Sequence, residues 1–276
     1  MAPRAGNPEW AHYYRVGDMD GASALHAHFV SHRYPRHSHA YCVIGLVESG
    51  VQTYIYRGTR HYTPAGDVFV VNPDEPHTGE AASESGYVYR TLNLTADWLR
   101  SALCEFAEVA RHPFLKGAVL HDAAVATRLA RLHRGLTLQA PKLEQDLLLL
   151  EAVGLLFIRH SDAKCATVRT GREHKAIGRA REYLEAHFDE DVSLAKLARV
   201  VSLSPFYFAR LFEKGAGVPP HRYLEGVRIR NACALLDRGE KIASVATSVG
   251  YADQSHLTKR FKRYLGITPR QYRRNA

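Results

Sequence analysis

Cysteine is scarce in this chain: four in 276 residues, and no two of them in a CxxC pair. Cys42, Cys104, Cys165 and Cys233 therefore read as the reduced thiols of a cytosolic protein, mostly buried. Long apolar runs are missing too. The first seven residues contain no apolar core of a signal peptide, and the longest apolar run, 147–158, is interrupted by Glu151. Neither export nor a membrane span is expected, which points to the cytoplasm. Net charge is absent from the first 170 residues, which carry 17 Lys/Arg and 17 Asp/Glu. Residues 171–276 carry 20 Lys/Arg against 11 Asp/Glu, so they hold the whole net charge of +9. That asymmetry is the electrostatic footprint of a polyanionic partner. The length suits two domains, and 46% apolar content suffices for two cores.

What is present begins with a pattern near the end. Ile242, Val245, Ala246 and Val249 keep helical spacing, and Gly250 breaks it as a C′ position with positive φ would. Asp253 is a good N-cap for a second helix that buries Leu257 and Phe261. Gln254, Ser255, His256, Thr258, Lys259 and Arg260 are left outward, able to bond base edges or phosphates. Two short helices, a glycine turn and a polar, basic second face read as a helix-turn-helix.

The pattern occurs twice. Leu194, Leu197, Ala198 and Val201 repeat the first apolar face, Ser202 and Leu203 fill the turn, and Ser204-Pro205 opens a helix burying Phe208 and Phe212. Proline just after the N-cap is a start signal because its missing N–H falls where no partner was available. Phe212 and Phe261 each lie eight residues past their N-caps, so the second helices superpose. A repeated unit of this kind argues against an incidental helical hairpin. Residues 219–238, apolar at Tyr223, Val227 and Leu235, read as a long helix joining the motifs. About 20 residues at about 1.5 Å each make a strut of roughly 30 Å. That is close to the ~34 Å between successive major-groove openings on one face of B-DNA, so the two second helices are expected in adjacent grooves.

These residues resemble the DNA-binding domain of AraC/XylS-type transcription regulators. The resemblance rests on Ser193-Leu194-Ala195-Lys196-Leu197-Ala198, Leu211-Phe212-Glu213-Lys214, Arg228-Ile229-Arg230, and Val249-Gly250-Tyr251-Ala252-Asp253-Gln254-Ser255. It continues through Phe261-Lys262-Arg263 to Gly266-Ile267-Thr268-Pro269-Arg270-Gln271-Tyr272-Arg273. Phe206, Tyr207 and Arg210 on one helix, and Gln254, Ser255, His256 and Lys259 on the other, are expected to face outward and read bases; the resemblance implies the same positions. Ser204, Thr258, Arg260, Lys262 and Arg263 are the expected phosphate contacts.

The first half of the chain reads as β-rich. Residues 41–47 form an apolar run ending in the turn signal Glu48-Ser49-Gly50. Val51, Thr53 and Ile55 then alternate with Gln52, Tyr54 and Tyr56, and strands follow at 68–71 and 87–94. Short strands at this spacing indicate an all-β barrel or jelly roll. The segments Pro35-Arg36-His37-Ser38-His39, Pro64-Ala65-Gly66-Asp67 and Pro73-Asp74-Glu75-Pro76-His77 resemble the small cupin barrel that precedes the DNA-binding domain in many of these regulators. His37 and His39, two apart on a strand, share a face, and His77 can approach from the other motif. Metal-holding cupins carry a glutamate shortly after the second histidine. Here 40–44 is Ala-Tyr-Cys-Val-Ile, so no metal and no cofactor is assigned. His37, His39, Tyr54, Tyr56, Glu75, His77 and Arg90 are the expected ligand-binding set. Arg90 should pair with a counter-charge such as Glu75 when no ligand is bound, and the donors of the set suggest an anionic or acceptor-bearing effector.

Helices are expected at 96–108 and 123–136, then an apolar stripe of Leu143, Leu147, Leu150 and Phe157 widened by neighbouring leucines. The resemblance implies that this helix serves dimerisation. Residues 161–175 lack an apolar period and read as a linker. The expected plan is thus a sensor domain over 1–160 (helical from about 96), a linker over 161–175, and a DNA-binding domain over 176–276. The expected function is sequence-specific transcription regulation controlled by a small molecule, with double-stranded DNA, an effector, a second copy of the chain and RNA polymerase as partners, and no catalysis. Two alternatives compete: a cupin-type metalloenzyme fused to a DNA-binding tail, and a constitutive architectural DNA binder.

Overall fold

A computed structural model of the chain describes residues 9–16, 21–103, 114–161 and 173–275. The chain divides into two compact units. The first contains nine strands among the described residues: β1 (Trp10–Arg15), β2 (Ala22–Phe29), β3 (Tyr34–His37), β4 (Tyr41–Tyr56), β5 (Thr59–Pro64), β6 (Val68–Val71), β7 (His77–Ala81), β8 (Tyr87–Thr95) and β9 (Val119–Leu120). The 16-residue β4 belongs to two sheets. Its first part pairs antiparallel with β8 and β6, its last part with β5 and β7. The hydrogen-bonded order β1-β2-β8-β4-β6-β9 has two free ends, with β3 reached through β7. The expected antiparallel β domain is present, but its barrel does not close.

Glu48, Ser49 and Gly50 do not turn the chain as expected. The register with β8 shifts between Val47 and Ser49, and Gly50 has a φ of 72°. A β-carbon on Gly50 would lie 2.2 Å from the Gly86 carbonyl oxygen. The turn signal is a bulge: it bends the strand from one sheet into the other without ending it. Between the sheets lie Ala27, Val43, Val47, Tyr54, Phe69, Tyr87 and Tyr89.

Three helices follow the strands: α1 (Ala96–Leu103), α2 (Ala123–Thr137) and α3 (Lys142–His160). The rest of the helix expected over 96–108 lies outside the described residues, as do Cys104 and Cys165. Cys42 is buried and Cys233 half-buried, both free thiols. Asp122 caps α2 by accepting from the Ala124 and Val125 amides, and also takes Arg159 and His160 from the last turn of α3. The hydrogen bonds from His160 and Arg159 hold its carboxyl well below the usual carboxylate range. Leu143, Leu147 and Leu150 are at most 5% exposed. The stripe read as a dimerisation face is therefore already covered within the chain; Glu151, Ile158 and Arg159 are what α3 leaves exposed. Among the described residues no helix is long and apolar enough to cross a membrane.

The second unit is helical: α4 (Glu173–Ala186), α5 (Leu194–Val201), α6 (Pro205–Ala216), α7 (Pro220–Asp237), α8 (Ile242–Ser248), α9 (Gln254–Leu265) and α10 (Pro269–Asn275). α4 begins inside the segment read as a linker, of which 162–172 lie outside the described residues. Both expected caps form: Ser204 and Asp253 accept from the amides of Tyr207 and His256. Ser193 caps α5 in the same way, accepting from the Lys196 amide. Leu194, Leu197, Ala198, Phe208 and Phe212 are buried in the first motif, as are Val245, Ala246, Val249, Leu257 and Phe261 in the second. Gly250 has a φ of 79°, and a β-carbon on it would lie 2.7 Å from the Asp189 carbonyl oxygen.

An L-residue at that φ costs about 1–2 kcal/mol before the clash is counted. Gly250→Ala should therefore destabilise the helical unit by about 2 kcal/mol or more. Both tryptophans, Trp10 and Trp98, lie in the first unit. In urea, the helical circular-dichroism transition should move to lower concentration while the tryptophan-fluorescence transition stays in place. Coincident, unmoved transitions would refute the assignment.

Candidate functional site

The outer faces of α6 and α9 carry the expected reading residues in two environments. Arg210, Gln254, Ser255, Lys259, Lys262 and Arg263 are exposed, and Ser204, Tyr207, His256 and Thr258 are partly exposed. The Thr258 hydroxyl donates to the Gln254 carbonyl one turn back. The His256 ring packs edge-on against Tyr251, and burial lowers its pKa, so it presents a neutral imidazole. Two residues depart from expectation. Phe206 is only 8% exposed, and the Arg210 guanidinium lies 5.9 Å over its ring. It is a platform for Arg210 rather than an outward base contact, because the long cation one turn on covers the ring. Arg260 is 16% exposed and lies 3.6 Å from the Glu225 carboxylate on α7. That turns it inward, away from a phosphate.

The first unit encloses a cavity of about 140 Å³ between the sheets, lined by His37, His39, Tyr54 and His77 of the expected set. It is also lined by Tyr34, Tyr41, Gln52, Tyr89, Thr91 and Asn93, beside Leu25, Val43, Phe69 and Val71. His37 sits opposite His77 in the β3–β7 register, and His39 follows in the connection to β4, stacked 4.0 Å from Tyr41. One ring nitrogen from each of the three lies within 4.8 Å of the others. Burial, reinforced by the neighbouring rings, pushes His77 down to about 4 and lowers His39 as well.

The other three expected ligand residues lie elsewhere. Strand alternation puts Tyr89 and Thr91 into the cavity and Arg90 on the opposite face of β8, where it donates to Glu48 at 2.6 Å. Glu48, and not Glu75, is thus the counter-charge of Arg90. Glu75 pairs with Arg57 at 2.9 Å and accepts from the buried Tyr56 hydroxyl, which also takes the Asn72 amides. That cluster ties strand ends together and offers no free group to a ligand. With Arg90 on the far face of β8 and the pKa values of His39 and His77 lowered, the reason for expecting an anionic effector falls away.

Comparison with known proteins assigns both halves. Residues 21–157 match the family model of AraC-like ligand-binding domains, and residues 197–275 match that of a helix-turn-helix domain. The two matches together cover most of the chain. An uncharacterised HTH-type transcriptional regulator of Bacillus subtilis, YbfI, is 29% identical over 83% of this chain and 82% of its own. The transcriptional activator RhaR of Shigella flexneri is 25% identical over 91% of this chain and 93% of its own. This chain belongs to the AraC family of transcriptional regulators. Among solved structures, the C-terminal domain of AraT, a response regulator from Geobacillus stearothermophilus, is 32% identical over 37% of this chain and 85% of that one, with a TM-score of 0.36.

In this AraC-family regulator two buried charges on α7 brace the helical unit: Arg228, present in the sequence pattern only through the family resemblance, and Glu225, which the sequence pattern gave no role. Arg228 is 6% exposed and donates to the Phe188 carbonyl at 2.6 Å and the Glu190 carbonyl at 2.8 Å. Glu225, also buried, takes Arg222 at 3.0 Å and Arg260 from α9. Charges near the middle of a helix flanked by apolar neighbours are the signal that could have found them, since buried charges need partners. Glu225→Ala leaves Arg260 and Arg222 without their counter-charge and should cost about 3 kcal/mol of helical-unit stability. A thermal melt of the variant matching wild type would show the ion pairs to be dispensable.

Proposed function

We propose that a small-molecule effector bound in the cavity between the sheets controls how this regulator engages its operator. The observation that carries the reading is the polar-lined cavity inside the segment matched by AraC-like ligand-binding domains. An effector that binds one arrangement of the chain more tightly shifts the population towards it, and operator affinity changes by the same coupling. The cavity residues assigned to the effector are His37, His39, His77, Tyr54 and Asn93. Imidazoles, a phenol and an amide beside apolar walls suit an effector with hydroxyl or amine groups and an apolar face. The metalloenzyme reading has no observation in its favour, because the relatives are regulators of transcription.

On DNA, Tyr207, Arg210, Gln254, Ser255, His256 and Lys259 are assigned to bases, and Ser204, Thr258, Lys262 and Arg263 to phosphates. The 18 residues of α7 span about 27 Å, which supports placing α6 and α9 in adjacent major grooves. A homodimer in the cytoplasm, with contacts outside the Leu143, Leu147 and Leu150 stripe, would set two such readers on one operator. RNA polymerase is the expected partner for activation.

Arg210→Ala should cost about 1–3 kcal/mol on the best operator and relax preference at one base position. Arg263→Ala should weaken all sequences alike and reduce the salt slope by about 1. Affinities across a set of operators at several salt concentrations separate the two; identical behaviour of both variants would sink the assignment. A footprint confined to one half-turn per DNA-binding domain would contradict the two-groove placement. For the effector, a thermal-shift screen of the full chain against amino acids, sugars and aromatic acids should raise the melting temperature with one class. His39→Ala should abolish that shift and the ligand's effect on operator affinity. An undiminished response would place the sensor outside this cavity.

A further inference from the structure

We propose that residues 115–122 form a strap that passes the state of the cavity to the end of α3, where the chain leaves for the helical unit. Tyr54, Asn72 and Asp122 are its positioning residues. One edge of the strap is fastened to the cavity wall. The Tyr54 hydroxyl donates to the Ala118 carbonyl at 2.6 Å, and the Val70 amide donates to the same oxygen at 2.9 Å. Val119 and Leu120 pair with Phe69 and Val68 of β6. Asn72 follows Val71 of the cavity wall and holds Leu115 by both backbone groups. Its Nδ2 donates to the Leu115 carbonyl at 2.9 Å, and its Oδ1 accepts from the Leu115 amide at 3.0 Å. Arg57 donates to the Lys116 carbonyl at 3.3 Å.

The other edge is fastened to the end of α3. The Lys116 amide donates to the His160 carbonyl at 3.1 Å, and Leu115 forms an isolated antiparallel bridge with Ser161. At the far end of the strap the Asp122 carboxylate takes Arg159 at 3.0 Å and His160 at 2.9 Å while it caps α2. Lys116 and Ala118 are two residues apart, about 7 Å of extended chain. Leu115 is fully buried and Asn72 is 2% exposed, and a packed interior passes a displacement on instead of absorbing it. The Tyr54 ring lines the cavity, so an occupant that shifts it pulls on Ala118. The nearest bonds that can yield are those of Leu115 and Lys116 to residues 160–161. The strap is thus one element with two arrangements, those bonds made or broken, and both ends bias the balance. Its use by an effector rests on the effector reading; its continuity does not.

Amide hydrogen exchange of the full-length chain, read by mass spectrometry without DNA or effector, tests the strap. Tyr54→Phe removes one hydroxyl from the cavity wall and nothing at α3. It should still speed exchange in the peptide 157–161 about fivefold, as should Asn72→Ala and Asp122→Asn. Tyr34→Phe removes another cavity hydroxyl, one bonded to Tyr89 at 3.0 Å and not to the strap. It should leave 157–161 exchanging at the wild-type rate, which a general loosening of the β domain would not. In the double variant Tyr54→Phe/Asp122→Asn the two effects should fall short of multiplying, because an end loosened by one change is no longer held by the other. Faster exchange confined to 115–122 in Tyr54→Phe, or full multiplication in the double variant, overturns the strap. Should Asn72→Ala fail to fold, Tyr54→Phe, which keeps the ring in the wall, still decides. Affinity is then measured on a duplex selected by the wild-type chain from a random pool. Tyr54→Phe and Asp122→Asn should both shift it; unchanged affinity in both overturns the strap as a signal route. The effector reading fails by its own measurement, the thermal-shift screen, and leaves these outcomes standing.

Discussion

The second reading helix is held in place by a pair of charges buried on the helix between the two motifs. The Arg228 guanidinium on α7 reaches back to two carbonyls ahead of α5, and its carbon Cζ lies 5.5 Å over the ring of Tyr251 in the second motif's turn. Glu225, one turn earlier, takes Arg260 from α9. Desolvating a guanidinium and a carboxylate costs several kcal/mol each, and only well-formed partners offset that. The acceptors of Arg228 lie just ahead of the first motif and Tyr251 lies in the turn of the second, so this one charge ties the two together in one relative placement. Hydrophobic contacts between helices tolerate sliding; the hydrogen bonds of Arg228 to two fixed carbonyls do not.

In the first unit the same rigour comes from alternation. Along β8, Tyr87, Tyr89, Thr91 and Asn93 look between the sheets, and Arg90 looks the other way towards Glu48 and His26. Buried histidine and arginine on the outer face are a structural network under α2, where His133 is pushed down to about 3 by burial and by Arg90. The inner face keeps groups that burial leaves neutral. A charged residue near a pocket in sequence can thus stand a full sheet thickness away from it in chemistry.

What could be read from the sequence was local. Caps at Ser204 and Asp253, the break at Gly250 and the apolar stripes of both motifs are written within a few residues, and all appear. The meeting of His37, His39 and His77 was also legible from the two short motifs, although not through strand parity: β3 ends at His37 and His39 lies in the connection to β4. What failed was non-local. Phe206 sits off the apolar stripe, yet a neighbouring arginine covers it; Arg260 sits on the polar face, yet Glu225 from another helix turns it inward. The stripe of Leu143, Leu147 and Leu150 showed that burial was needed without showing against what. Glu48-Ser49-Gly50 has turn composition, and only the pairing of β4 with β8 makes it a bulge.

The two motifs close their first helices differently. Ser202 caps α5 in the left-handed region at a φ of 57°, where the second motif uses Gly250. A side chain held there costs about 1 kcal/mol or more, a cost glycine avoids. With other contributions equal, the free energy of opening the first motif is lower by that amount, roughly a fivefold larger open population. In amide hydrogen exchange the α5–α6 turn would then be the leakier of the two. The nearly repeated halves thus differ in how readily each one opens, a difference carried by one residue's backbone.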